Sequence, residues 1–110
     1  MESILTSIKK LLNIDGECTA FDTDIIMHVN SVLMILTQLG IGPDKGFVVQ
    51  DSEDTWIDFL GEDECTESVK IYVYLRVKLL FDPPASSAVI DSMKETIREL
   101  EWRIVNNKIE

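Results

Sequence analysis

The sequence predicts an all-α fold, a small bundle of about four main helices. Residues 25–39 and 90–104 carry apolar side chains that step by three and four positions, which is the period of one helix face. A break at Asp82-Pro83-Pro84 separates the second of these segments from a long apolar run before it. With 110 residues, 45% of them hydrophobic, the chain is expected to form a single domain, residues 1–110.

The first two helices are predicted over residues 3–13 and 23–39. Ser3 can cap the first helix, and Asp22 or Thr23 can cap the second, because short polar side chains accept hydrogen bonds from the free N–H groups of a first turn. Glycines and a proline follow the second helix and close it.

Residues 40–65 are predicted to form a long acidic connection that carries a short helix over residues 54–61. Residues 44–67 contain one basic and nine acidic residues, and loops of this length are usually functional or mobile. The apolar side chains of this connection either cover the core or fit a neighbour's groove. The candidates for a loop interface are Phe47, Val48, Val49, Trp56 and Phe59.

The third main helix is predicted over residues 66–81. Residues 69–79, "VKIYVYLRVKL", alternate apolar and polar side chains and would by themselves suit a strand. An uninterrupted run of about 16 residues is nevertheless long for a strand, whose usual length is about 5–6 residues. No other segment offers a long strand as partner, so a helix buried on several sides is favoured.

The last helix is predicted over residues 86–106, after a corner formed by Asp82, Pro83 and Pro84. Asp82 precedes a proline and can act as the N-cap, with Pro83 in the first turn; Ser86 and Ser87 are alternative caps. The two prolines fix the angle between two long helices. At 1.5 Å per residue the last helix is about 32 Å long, so one end is expected to project past the core.

The end of the last helix carries a second apolar strip beside two arginines. An aromatic side chain with arginines is the residue mix of an interface anchor. The alternative is that Trp102 packs on the chain's own first helix. The candidates for contact with another protein or subunit are Arg98, Trp102, Arg103, Val105 and Ile109.

No motif for catalysis, metal binding or cofactor binding occurs in the sequence. The one histidine, His28, has no nucleophile–base–orienter set around it in the pattern. Cys18 and Cys65 are far apart in the chain and lack the spacing of a zinc site. We therefore expect no enzyme activity, no metal and no cofactor.

The net charge of −10 is unfavourable for binding nucleic acid, because phosphate backbones repel an acidic protein. No run of 18 apolar residues occurs, so no membrane span is expected, and the acidic start followed by lysines does not suit a signal peptide.

Four stretches together resemble a known family: "FDTDIIMHVNSVLMILTQLG" (21–40), "TWIDFLG" (55–61), "VKIYVYLRVKLLFDPPASSAVIDSM" (69–93) and "ELEWRI" (99–104). In order and spacing they are similar to the head–tail connector (adaptor, or head-completion) proteins of long-tailed bacteriophages and Gram-positive prophages. The resemblance implies a helical virion protein without enzyme activity, located at the head–tail junction and in the host cytoplasm during assembly.

The resemblance also implies partners. The subunit would join a ring of about a dozen copies beneath the portal protein, with a stopper or tail-completion protein on the other side. DNA would pass through this ring without being specifically bound. Members of the family are often monomeric until the portal templates the ring.

Against this background, residues from 98 onward are expected to contact the portal or an adjacent subunit. The acidic connection is expected to face the channel or a neighbouring subunit, through Asp51, Glu53, Asp54, Glu62, Asp63 and Glu64. The alternative is an acidic helical DNA mimic, or another host-takeover binding protein of phage origin. A mimic would spread its carboxylates in rows along a helix, whereas here nine acids lie in one region.

Overall fold

The computed structural model describes residues 2–61 and 66–109, with the side chains of the last helix described as far as Asn106. Within these residues the chain is helical, and its one extended pairing is an isolated bridge between Ser3 and Thr55. The prediction of an all-α fold is confirmed. The helices are α1 (Ile4–Leu11), α2 (Asp22–Gln38), α3 (Trp56–Leu60), α4 (Thr66–Phe81) and α5 (Ser87–Ile109).

The first two helices lie where the sequence places them, but only one of their predicted caps is found. Ser3 caps α1, and its side chain accepts a hydrogen bond from the Thr6 N–H. The residue before α2 is Phe21, which makes no side-chain cap, and Asp22 is already the first helical residue. The prediction that Asp22 or Thr23 caps α2 is therefore wrong, because the Asp22 carboxylate instead faces the ammonium of Lys9.

The strand alternative for residues 69–79 is also wrong. Helix α4 buries Val69, Tyr72, Val73 and Val77, which step by three, one and four positions. That spacing places the four side chains on one helix face. The alternating pattern places Ile71 with Val69 and Val73, but in the helix Ile71 lies on the other face and is exposed.

The corner after α4 is built differently from the predicted cap. Asp82 closes α4: its N–H donates to the Lys78 carbonyl, and its carboxylate lies 2.8 Å from the Lys78 ammonium. Pro83 and Pro84 follow outside any helix, and α5 starts at Ser87. Asp82 is thus not the N-cap. The alternative, Ser86, holds that place, and its hydroxyl accepts from the Val89 N–H at 3.4 Å.

Helix α4 is the centre of the packing. It contacts α2, α5 and α1, and α2 also contacts α1. One hydrophobic cluster joins all five helices and includes the fully buried side chains of Ile4, Ile25, Phe59, Tyr72 and Ile104.

The last helix does project past this core, but at its beginning. From residue 87 to 96 no α5 side chain is buried, whereas Ile97 and Ile104 are buried against the bundle. We call residues 87–96 the α5 arm. The other end is anchored, because Ile104 is fully buried in the core there.

Candidate interaction surfaces

The acidic connection is anchored to the helical bundle. The Asn30 side chain accepts from the Val49 N–H at 2.8 Å and donates to the Val49 carbonyl at 3.0 Å, which satisfies both backbone groups of that residue. Further along, the Trp56 indole N–H donates to the Ser7 hydroxyl at 2.8 Å. These contacts join residues far apart in the sequence, so they hold the described part of the connection, residues 40–61, on α1 and α2.

The loop-interface candidates divide between core and surface. Val49, Trp56 and Phe59 are buried in the chain's own core, which was one of the two readings of their apolar character. Phe47 is half-buried, with its ring centroid 5.5 Å from that of Phe59. Val48 is 63% exposed, so it is the member of the set that a partner can reach in this fold.

Val48 belongs to an exposed apolar patch with two methionines of α2. Met27, Met34 and Val48 all line one surface depression, and each is more than half exposed. Methionine side chains adapt their shape to different neighbours, which suits a contact surface.

The acidic candidates that the structure describes lie in a local turn. The Asp51 carboxylate accepts from the Glu53 N–H at 2.8 Å, and the Asp54 carboxylate accepts from the Gln50 N–H at 2.8 Å. Asp51 and Glu53 are exposed, and Asp54 is half-buried. Glu62, Asp63 and Glu64 lie outside the described residues.

Trp102 is 67% exposed. The alternative prediction, that it packs on the first helix, is therefore wrong. Arg98 and Arg103 flank it on the exposed face of α5, paired with Glu95 and Glu99 respectively. Such surface pairs between exposed side chains contribute little, about 0–1 kcal/mol, so both arginines can change partner. Val105 is half-buried, and the side chain of Ile109 lies outside the described residues.

A polar network that the sequence did not reveal fixes α5 on α4 beside this tryptophan. The Tyr72 hydroxyl donates to the Glu101 carboxylate at 2.6 Å and accepts from Arg76 Nε at 2.7 Å, and Arg76 also reaches Glu101 at 3.2 Å. Burial, reinforced by the bond to Glu101, raises the pKa of Tyr72 to about 12. The sequence shows that Tyr72 and Arg76 lie one helical turn apart. It does not show that both contact Glu101, which is 25 residues beyond Arg76.

Lys9 is a second polar anchor that the sequence did not reveal. Its side chain is buried, and its ammonium donates to the Cys18 carbonyl at 2.7 Å and to the Gly16 carbonyl at 3.3 Å. The Asp22 carboxylate lies 2.8 Å away and forms an ion pair with this ammonium. The ammonium thereby ties the α1–α2 connection to the start of α2.

The described residues contain no group of three or more histidine, cysteine, aspartate or glutamate side chains placed to share a metal ion. His28 is half-buried and forms an edge-to-face contact with Phe81, with 6.3 Å between the ring centroids. None of the helices in the described part of the chain is long and apolar enough to cross a membrane.

Comparison with known proteins gives a family match. No curated protein and no solved structure is significantly similar to the chain. The family model described as "Phage connector protein" matches residues 4–109, from the first residue of α1 to the last of α5. A match of this extent covers all five helices, the corner and the anchored acidic connection, and the chain therefore belongs to the phage connector protein family.

Proposed function

We propose that this protein is the head–tail connector subunit of a long-tailed phage or prophage. In this role it assembles as a ring beneath the portal, extends the DNA channel, and offers a docking surface to a stopper or tail protein. The observation that carries the proposal is the family match over residues 4–109, which makes the chain a structural phage protein.

The exposed surface around Trp102 supports docking of the subunit on a larger assembly. A tryptophan with two arginines is a frequent centre of protein interfaces. In our proposal Arg98, Trp102, Arg103 and Val105, with Ile109, contact the portal or an adjacent subunit. The Tyr72–Arg76–Glu101 network holds the preceding residue of α5, so the tryptophan is presented from a fixed helix.

The charge distribution supports a conduit rather than a nucleic-acid binder. Asp51 and Glu53 are exposed carboxylates in a chain of net charge −10. Carboxylates that face the channel repel DNA phosphates, so the DNA slides through the ring without being held. The same carboxylates can instead face a cationic surface on a neighbouring subunit. The DNA-mimic alternative draws no support from the family match.

The proposal is tested by deleting the gene from the phage or prophage that carries it and imaging the particles after induction. We expect heads that do not join tails, and recovery of tailed particles when the wild-type protein is supplied in trans. A Trp102→Ala protein should restore fewer tailed particles than a Val89→Ala protein, in which another exposed apolar residue of α5 is changed. Infectious, tailed particles made without the gene would overturn the proposal.

A further inference from the structure

An apolar groove lies between α2, α4 and α5. Its volume is about 650 Å³, which falls within the range of about 300–1,000 Å³ that binding pockets occupy. Two of its aliphatic lining residues are buried, whereas Leu80 is 54% exposed at the end of α4. The described part of the chain therefore leaves an apolar recess uncovered. Its aliphatic lining residues are Val32, Ile35, Leu79, Leu80 and Ile97.

The charged side chains that line this groove are mostly basic, although the whole chain has twice as many acidic as basic residues. Arg76, Lys94 and Arg98 line it, against one carboxylate, that of Glu101. This carboxylate already accepts from the Tyr72 hydroxyl and pairs with Arg76. The other two cations, both on α5, are left to face the groove without it.

These two cations of α5 are weakly compensated. Among the described residues Lys94 forms no ion pair, and Arg98 forms one with Glu95, in which both side chains are more than 70% exposed. Such an exposed pair contributes little to stability, so the arginine can exchange it for another carboxylate. A ligand that joins aliphatic side chains to carboxylates is therefore complementary to the groove in both polarity and charge.

The walls of the groove indicate the backbone form of such a ligand. All three walls are helices, so the groove offers no sheet edge with which an extended segment could pair. A helical segment bonds its own N–H and C=O groups and needs no such edge. The groove residues of α5 span positions 94–101, which is about 10 Å along the helix axis, or about two helical turns.

We propose that the groove binds an acidic amphipathic helix of a partner protein, with aliphatic side chains against Ile35, Leu79 and Leu80 and with carboxylates beside Lys94 and Arg98. The proposal rests on the proposed function and names the chemistry of one partner of the connector. Charge complementarity of this kind sets the choice and register of a partner more than it sets affinity.

Three synthetic peptides test the chemistry of the groove. Each is a capped helix about 14 residues long, with leucines at every third and fourth position and with glutamate, glutamine or lysine at the flanking positions. Amide chemical shifts of the ¹⁵N-labelled protein are followed at physiological salt, where charges farther away than about 8 Å are largely screened. We expect the glutamate peptide to shift amides at residues 31–35, 76–80 and 94–101 and to bind about tenfold more tightly than the lysine peptide.

Charge variants identify the cations that select the peptide. Lys94→Gln with Arg98→Gln should weaken binding of the glutamate peptide about tenfold and leave binding of the glutamine peptide unchanged. Lys94→Glu with Arg98→Glu should reverse the preference, so that the lysine peptide binds more tightly than the glutamate peptide. Lys10→Gln with Lys45→Gln is the matched control: both lysines are exposed outside the groove, and the change in net charge equals that of the first variant.

Leu80→Ala tests the apolar part of the contact. It should weaken binding of all three peptides severalfold, because their leucines lose an apolar neighbour. Val89→Ala is the matched control, since Val89 is 46% exposed on the α5 arm and does not line the groove. Circular dichroism and melting temperature accompany each variant. The gain of lysine-peptide binding by the charge-reversed variant distinguishes a changed contact from lost folding.

Equal affinities for the three peptides, or shifts that map to another surface, would overturn the proposal. Two further measurements identify other occupants of the groove. Shifts of the groove residues that depend on protein concentration without peptide would assign it to a second copy of this chain. Binding of dodecanoate as tight as that of the glutamate peptide would assign it to small anionic amphiphiles, and either result would reject a partner helix.

Deletion of the gene reports on the connector role separately. Tailless heads in that experiment, together with no peptide binding here, would keep the proposed function and reject the groove as a docking site for an acidic helix. Infectious, tailed particles together with selective binding of the glutamate peptide would keep the docking site and reject the connector role.

Discussion

Buried polar side chains fix the positions of the surfaces in this molecule. Lys9 is 3% exposed and bonds carbonyls of the α1–α2 connection, while Tyr72 bonds Arg76 and Glu101 across the α4–α5 contact. A buried polar group that loses its partner costs about 1–3 kcal/mol, so each network favours one arrangement of its elements strongly. The position of the exposed Trp102 depends on where Tyr72 holds α5.

The raised pKa of Tyr72 predicts a loss of stability in alkali. Its folded pKa of about 12 lies above the ordinary value of 10, so the folded state keeps the phenol proton over this interval. The contribution is fully present below about pH 10 and is lost as the pH rises through 12. Tyr72→Phe should lower the free energy of unfolding by about 1 kcal/mol at neutral pH and flatten its decline above pH 10.

Urea titrations at a series of pH values measure this effect. Tyr74→Phe is the matched control, because the Tyr74 hydroxyl has no hydrogen-bond partner among the described residues. Lys70, whose pKa is raised chiefly by its hydrogen bond with Glu2, titrates in the wild type and both variants, so its contribution cancels in the comparison. Equal alkaline declines in the wild type and in Tyr72→Phe would contradict the assignment.

Gly42 offers a second prediction at the level of one residue. Its backbone has a φ of +83°, which glycine adopts at little cost, and a Cβ there would overlap the ring of Phe59. Gly46 has a φ of +85° with open space around it. Gly42→Ala should therefore destabilise the protein by more than Gly46→Ala, in which the backbone cost of about 1 kcal/mol acts alone.

Thermal melts of the two alanine variants test this difference, since the Gly46 variant carries the backbone cost without the contact. Equal melting temperatures for the two variants would show that the Phe59 ring moves aside freely.

Among the elements, α5 combines two kinds of residue within one turn. Trp102 is exposed and Ile104 is fully buried. Trp102→Ala should change the free energy of unfolding by no more than about 0.5 kcal/mol, whereas Ile104→Ala should cost about 2–5 kcal/mol by leaving a cavity. A chemical denaturation series measures both. If the Trp102 variant were as unstable as the Ile104 variant, the tryptophan would have to be part of the chain's own core.

The helices were predictable from the sequence because their apolar residues follow a helical period over many positions. Residues 66–81 formed a helix in spite of their alternating pattern, since length and the lack of a strand partner outweighed it. The caps were harder to predict because they depend on contacts with other elements. Asp22 faces Lys9 and Asp82 faces Lys78, and both carboxylates were expected to cap helices instead.

The candidate surfaces were predictable only in part. Trp102 was placed on an outer strip by its position on the helix, and it is exposed. The sequence allowed Val49, Trp56 and Phe59 to be either core or interface residues. In an irregular segment no helical or strand period indicates which side chains are buried. Val49 and Trp56 are held by Asn30 and Ser7, which are partners in other parts of the chain. The groove between α2, α4 and α5 was not predicted, because residues of three separate helices form it.

The whole molecule separates its charges. Acids dominate residues 44–67, whereas the groove between α2, α4 and α5 is lined by Lys94 and Arg98. A net charge of −10 still governs its encounter with DNA. We predict no binding of double-stranded DNA at physiological salt, because two cations in a groove do not offset that repulsion.

A gel-shift or fluorescence-anisotropy titration measures this, with a basic DNA-binding protein as the positive control. Salt-sensitive binding at micromolar protein would contradict the prediction.

The α5 arm has a consequence for the energetics of assembly. Residues 87–96 are helical although none of their side chains is buried, and they continue directly into the part of α5 that Tyr72 and Ile104 hold in place. Fixing one residue's backbone costs about 1–2 kcal/mol in conformational entropy, and a segment that folds only on binding loses that amount from its affinity. Because the arm is already helical in the subunit, a partner that packs on it bears less of this cost, and more of the contact energy remains available for holding that partner.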